Sequence, residues 1–135
     1  MEVQKITTPT AEVTFYPKEK YIHLVYHPKK HKCIEEMKEH IEQCRTIMGE
    51  YAPLPTLVDV RQIKGITKEV RDFVGQYEKT KNDIMYLALI VKSGFSKIAG
   101  NIFLSFTKPA YPTRLFTSEE DAEKWLFAQQ RIGVQ

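Results

Sequence analysis

Two short apolar runs set most of what this chain can become. T-L-V-D-V (Thr56–Val60) is rich in β-branched residues, and M-Y-L-A-L-I-V (Met85–Val91) is the most apolar segment of the sequence. A brief apolar run without alternation has the pattern of a strand covered on both faces, as in a parallel sheet flanked by helices. Thr56–Val60 is accordingly assigned to the centre of the sheet. Both runs are far short of the roughly 20 residues a membrane-spanning helix needs.

The flanking segments supply the covering layers. Ala11–Tyr16 alternates Val13 and Phe15 with polar neighbours, Pro17–Glu19 makes a turn, and Tyr21–Tyr26 follows, so these two strands are expected to pair as an antiparallel hairpin. From Cys33 to Met48, Ile34, Met37, Ile41, Cys44 and Met48 recur at helical spacing, with Gly49 as the stop and Pro53 and Pro55 blocking continuation. His40, between Glu39 and Glu42, is placed on the outer surface of that helix. Thr67 caps a second helix whose Val70, Phe73, Val74 and Tyr77 share one face. Phe95, Ile98, Ala99, Ile102, Phe103 and Phe106 predict a third helix ending near Pro109. Thr113–Phe116 reads as a strand. Ser118, followed by E-E-D, opens a fourth helix with Ala122, Trp125 and Leu126 inward and a frayed tail beyond Gln130.

The order β-β-α-β-α-β-α-β-α predicts an α/β domain: a mixed, mostly parallel sheet with right-handed crossovers, an N-terminal hairpin at its antiparallel edge, and four helices. A length of 135 residues fits one domain, residues 1–135. The N-terminus lacks the apolar core of a secretory signal, and Cys33 and Cys44, eleven positions apart on one helix, would sit about 16 Å from each other, beyond disulfide reach. Free thiols and the missing signal imply the cytoplasm. A net charge of +3 gives no argument for nucleic acid.

The layout resembles the STAS domain of anti-sigma-factor antagonists and sulfate-transporter tails. L-V-D-V-R (Leu57–Arg61), L-I-V-K-S-G-F-S-K-I-A-G-N-I-F-L (Leu89–Leu104) and Y-P-T-R-L-F-T-S-E-E-D-A-E-K-W-L (Tyr111–Leu126) are similar to small uncharacterised bacterial proteins with a SpoIIAA-like fold. The resemblance implies a regulatory module switched by phosphorylation of a serine after the third strand. The comparable stretch, Asp59 to Thr67, holds no serine, and its one hydroxyl, Thr67, serves as a helix cap, so the switch does not carry over.

Candidate chemistry is sparse. Asp59 stands at the carboxyl end of a central strand, where ligands gather in open α/β sheets, and its other role would be to hold local amides or pair with Arg61. Ser93, Gly94, Ser96 and Gly100 crowd the start of the third helix, where amides can cradle an anion, although no phosphate-loop pattern is present. The expected ligand or partner site is thus Asp59, Arg61, Thr67, Ser93 and Ser96. Lys29, Lys30, His31 and Lys32 form a second candidate, an anion site before the first helix. His23 and His27, four apart on a strand, would be about 13 Å from each other, too far to share a metal, and no cofactor is implied. Gly65 reads as a turn residue. Leu104 falls off the apolar face of the third helix and would suit a partner or dimer surface.

These features favour a non-enzymatic interaction module that binds a protein partner or a small anionic or apolar ligand at the helix-lined end of the sheet. The rival is a small enzyme, or an anion- or lipid-binding protein, using Asp59 with Arg61, Ser93 or Ser96.

Overall fold

A computed structural model of the chain describes residues 2–80, 83–92 and 111–134. The two apolar runs become adjacent parallel strands, β5 (Leu54–Asp59) and β7 (Ile84–Ile90), paired through Leu57↔Ala88 and Val58↔Leu89. Every residue of β5 is buried, as a strand covered on both faces requires. The hairpin forms as β2 (Ala11–Tyr16) and β3 (Tyr21–Tyr26), antiparallel in the register Val13↔Leu24, and β3 pairs in parallel with β5. On the other side β7 pairs with β8 (Thr113–Phe116), also in parallel.

Beyond the hairpin lies β1 (Gln4–Thr7), antiparallel to β2, so the six-stranded sheet runs β1-β2-β3-β5-β7-β8 and β1 is its antiparallel edge. This corrects the expectation of a hairpin edge. Of its residues only Ile6 is even half-buried, so no alternation marks the strand in the sequence. A second, two-stranded sheet joins β4 (Lys30–His31) to β6 (Gly65–Ile66) in parallel. Gly65 is therefore a bridge residue rather than a turn residue. This link ties the segment before the first helix to the segment before the second.

Three α-helices lie among the described residues: α1 (Ile34–Met48), α2 (Lys68–Thr80) and α3 (Glu119–Val134). The helix expected from Phe95 to Phe106 falls outside them, as do Ser93, Gly94, Ser96, Gly100 and Leu104. α1 and α2 pack on the sheet face that carries Ile22, Leu24, Val58 and Leu89. α3 covers the opposite face with Ala122 and Leu126 against Leu57, Ala88 and Ile90, and it continues past Gln130 to Val134. Its start is capped as expected, since the Asp121 amide donates to Ser118 Oγ at 3.2 Å. No helix among the described residues is long and apolar enough to cross a membrane.

α1 places His40 differently from the sequence reading. Met37, His40, Cys44 and Met48 are its buried residues, and these recur at spacings of three and four, so His40 lies on the inward stripe despite its acidic neighbours. The helix ends at Gly49, whose amide donates to the Arg45 carbonyl with φ 53° and ψ −127°. That conformation is open only to glycine. Gly49→Ala, although a Cβ there would meet no atom within 4 Å, is therefore expected to lower stability by about 1–3 kcal/mol. Gly65→Ala, whose Cβ would make ordinary contact with Lys30 Cγ at 3.6 Å, should change it by less than about 0.5 kcal/mol. Urea unfolding of both variants measures the contrast.

Candidate functional site

The side chains of β3, β5 and β7 that point toward α1 and α2 do not meet a closed helical layer. Between them is a cleft, partly open to solvent, with a cavity volume of about 100 Å3. Its floor is Ile22 and Leu24 from β3, Thr56 and Val58 from β5, and Leu87 and Leu89 from β7. Its walls are Met37, His40, Ile41, Cys44 and Met48 from α1, and Arg71, Val74 and Tyr77 from α2. The cleft is apolar with a few polar groups at definite places, as small-molecule sites are.

Most of those polar groups are committed. Tyr77 Oη donates to Asp83 Oδ2 at 2.6 Å, and Arg45 Nε lies 3.6 Å from the same oxygen. Thr56 Oγ1 donates to the Leu54 carbonyl at 3.0 Å. Burial pushes the Cys44 thiol up to about 12, which leaves it protonated and unreactive near neutrality. Arg71 is the exception: its Nε is buried with no hydrogen-bond partner among the described residues.

Beside His40, histidines link the β1–β2 turn and the segment after β3 to β4 and α1. His31 Nε2 donates to the His27 carbonyl at 3.1 Å, and His27 Nε2 donates to the Thr8 carbonyl at 2.8 Å. Thr8 Oγ1 accepts from the amides of Thr10 at 3.1 Å and Ala11 at 3.0 Å, which occupies both lone pairs. Its proton is then directed to His40 Nδ1 at 2.7 Å, with the Ala11 carbonyl at 3.2 Å as its other acceptor. His40 is thereby held neutral, and burial first, then the neighbouring His31 and His27, push it down to about 4. Burial also lowers His31.

Asp59 and Arg61 sit elsewhere. Asp59 ends β5 on the α3 side, and neither residue lines the cleft. The Arg61 amide donates to Asp59 Oδ1 at 3.0 Å, its Nε donates to Oδ1 at 3.0 Å, and Nη2 donates to Oδ2 at 2.7 Å. Both carboxylate oxygens are engaged, and these bonds raise the Arg61 pKa further. His23, from β3, is lowered by burial, and its Nε2 lies 3.4 Å from Glu119 Oε1 without closing a hydrogen bond. The structure thus brings Asp59, Arg61, His23 and Glu119 into one polar patch beside the start of α3. Among the described residues no group of three or more His, Cys, Asp or Glu is placed to hold a metal.

The remaining sequence candidates are dispersed. Thr67 caps α2, accepting from the Val70 amide at 3.4 Å through Oγ1. Lys29 pairs with Glu36 at 3.0 Å, and Lys30 and Lys32 are exposed. His31 is buried, its ring against Tyr26, and does not share the lysines' solvent face. The cleft's own polar residues, His40, Arg71, Tyr77 and Asp83, were not singled out for function in the sequence. The helical stripe carried the signal for His40. Arg71 gave none, because an arginine beside an apolar face reads as a solvated side chain.

In the histidine network the linkage has a definite sign. Above pH 6.5 neither folded nor unfolded His40 binds a proton, and between 6.5 and about 4 only the unfolded chain does, so stability falls as pH falls through that window. His40 alone accounts for roughly 3 kcal/mol of this loss, and His23 and His31 add in the same direction. Urea titrations from pH 7.5 to 4.5 should show a visibly shallower fall for His40→Gln than for the parent; equal slopes would remove His40 as the cause.

A family model for a domain of unknown function, DUF7793, matches residues 15–130. No curated protein matches. Among solved structures, the chain is similar to an uncharacterised protein of the DUF3478 family with a SpoIIAA-like fold from Shewanella loihica PV-4. The identity is 12%, the TM-score is 0.58, and the match covers 93% of this chain and 92% of that one. At that identity the likeness concerns the fold alone, and it agrees with the SpoIIAA-like architecture expected from the sequence.

Proposed function

From the premise that the chain belongs to the DUF7793 family and has a SpoIIAA-like fold, we propose that it is a non-enzymatic binding module that takes a small apolar ligand in the cleft between the sheet and α1/α2. The cleft itself carries the reading: an apolar floor from three adjacent strands, faced by two helices that leave it partly open. Water in such a space is poorly hydrogen-bonded, and an apolar ligand displaces it with a gain of about 25 cal/mol per Å2 of surface removed from solvent.

A small ligand is favoured over protein docking because the large apolar side chains left exposed, among the described residues, are Val3 and Met85. Two separated side chains do not make a docking patch. It is favoured over catalysis at Asp59 because that carboxylate gives both oxygens to Arg61. The module works without the phosphoserine switch of the family it resembles, Thr67 Oγ1 being engaged at the start of α2.

Binding should appear as thermal stabilisation of the full chain by medium-chain alcohols and acids, equivalent to about 2.7 kcal/mol at a hundredfold excess over Kd. Val74→Trp, which fills the cleft from α2, should abolish the shift. A panel that leaves the melting temperature unmoved, or a Trp variant that binds as well as the parent, would sink the reading.

A further inference from the structure

Among the described residues lining the cleft, Arg71 is left with a buried, unanswered donor at Nε, and the charges around it define what would answer. Arg45 and Asp83 lie within an ion pair of 3.6 Å, and Tyr77 donates to the same carboxylate. His40, held by the Thr8 hydroxyl, is neutral near pH 7. The cleft's ionised groups among the described residues are therefore two cations and one anion. The described lining thus carries one net positive charge, and one of its two guanidinium groups, Arg71, has a buried Nε with no acceptor among the described residues.

A buried donor left unbonded is costly, and a guanidinium presents a planar fork that fits a carboxylate with two parallel hydrogen bonds. We propose that Arg71 is the head-group anchor of the cleft, so that the ligand is an apolar monocarboxylate of the fatty-acid class. Its carboxylate lies on Arg71 and its tail runs over Val58, Val74 and Leu89. The assignment rests on the binding reading above and narrows it. A single negative charge balances the site, whereas a phosphate monoester dianion would bring a second charge into a cleft whose remaining lining is mostly apolar. A neutral alcohol of the same length would fill the apolar space but offer Nε a single uncharged acceptor, without the second parallel bond or the balancing charge.

The comparison of decanoate with 1-decanol separates these cases. Titration calorimetry on the full chain is expected to show decanoate binding at least tenfold more tightly than decanol. In Arg71→Met, decanoate should weaken at least tenfold while decanol changes less than threefold, and the ligand-free variant should melt at or above the parent's temperature because an unpaired buried donor has been removed. Arg71→Lys, which keeps the charge but loses the fork, should recover only part of the decanoate affinity. Equal affinities of the parent for decanoate and decanol, or an equal loss of both in Arg71→Met, would overturn the assignment of Arg71 and leave the cleft as an apolar site. Failure of both probes to bind would overturn the cleft reading together with it.

Discussion

β5 has no solvent-facing side. All six of its residues are buried, with Leu57 directed toward α3 and Val58 toward α1 and α2. A strand in that position must satisfy its backbone through neighbours on both edges, which β3 and β7 supply in parallel, and must present apolar side chains to two layers at once. The order of every other element follows from it. Parallel neighbours require crossovers, of which α1 and α2 lie on one face, and among the described residues α3, after β8, covers the other.

That asymmetry explains why the two faces differ in what they can do. α3 crosses the sheet behind Leu57, Ala88 and Ile90, and Ala122 and Leu126 close against them with no exposure. On the opposite face the buried residues of α1 are Met37, His40, Cys44 and Met48. Methionine is flexible and fills irregular space, and histidine brings polar atoms that need partners, so this stripe seals a layer less completely than branched aliphatics would. The α2 face is similar: Val70 is buried, but Phe73, Val74 and Tyr77 are only half-buried. Space remains between two helices that are nonetheless held at both ends, by the β4–β6 bridge at one and the Tyr77–Asp83–Arg45 contact at the other.

The same physics decides what was legible in the sequence. Ala11–Tyr16, Tyr21–Tyr26 and Thr113–Phe116 were readable to the residue, and β5 and β7 to within two, because burial imposes period and composition on those segments. Gln4–Thr7 was not readable, since an edge strand with mostly exposed side chains obeys only backbone pairing. The β4–β6 bridge joins positions about 35 apart in sequence and has no local signature. His40 was misplaced because Glu39 and Glu42 dominated the local view, although its spacing from Met37 and Cys44 set its direction. Asp59 drew attention for its position at the end of a central strand, and the geometry shows why a carboxylate is stable there: the Arg61 amide and guanidinium hold it.

The contrast between Asp59 and Arg71 bears on how buried charge is to be read in a fold of this kind. Both are ionisable groups beside a central sheet, and each carries a desolvation cost that something must offset. For Asp59 the offset is local in sequence, two residues away, and complete, so the charge is explained by the fold itself. For Arg71 no described neighbour accepts from Nε, although a carboxylate, Asp83, lines the same cleft and pairs instead with Tyr77 and Arg45. A donor left unanswered by the described residues, beside an open apolar space, is the observation on which the carboxylate assignment rests.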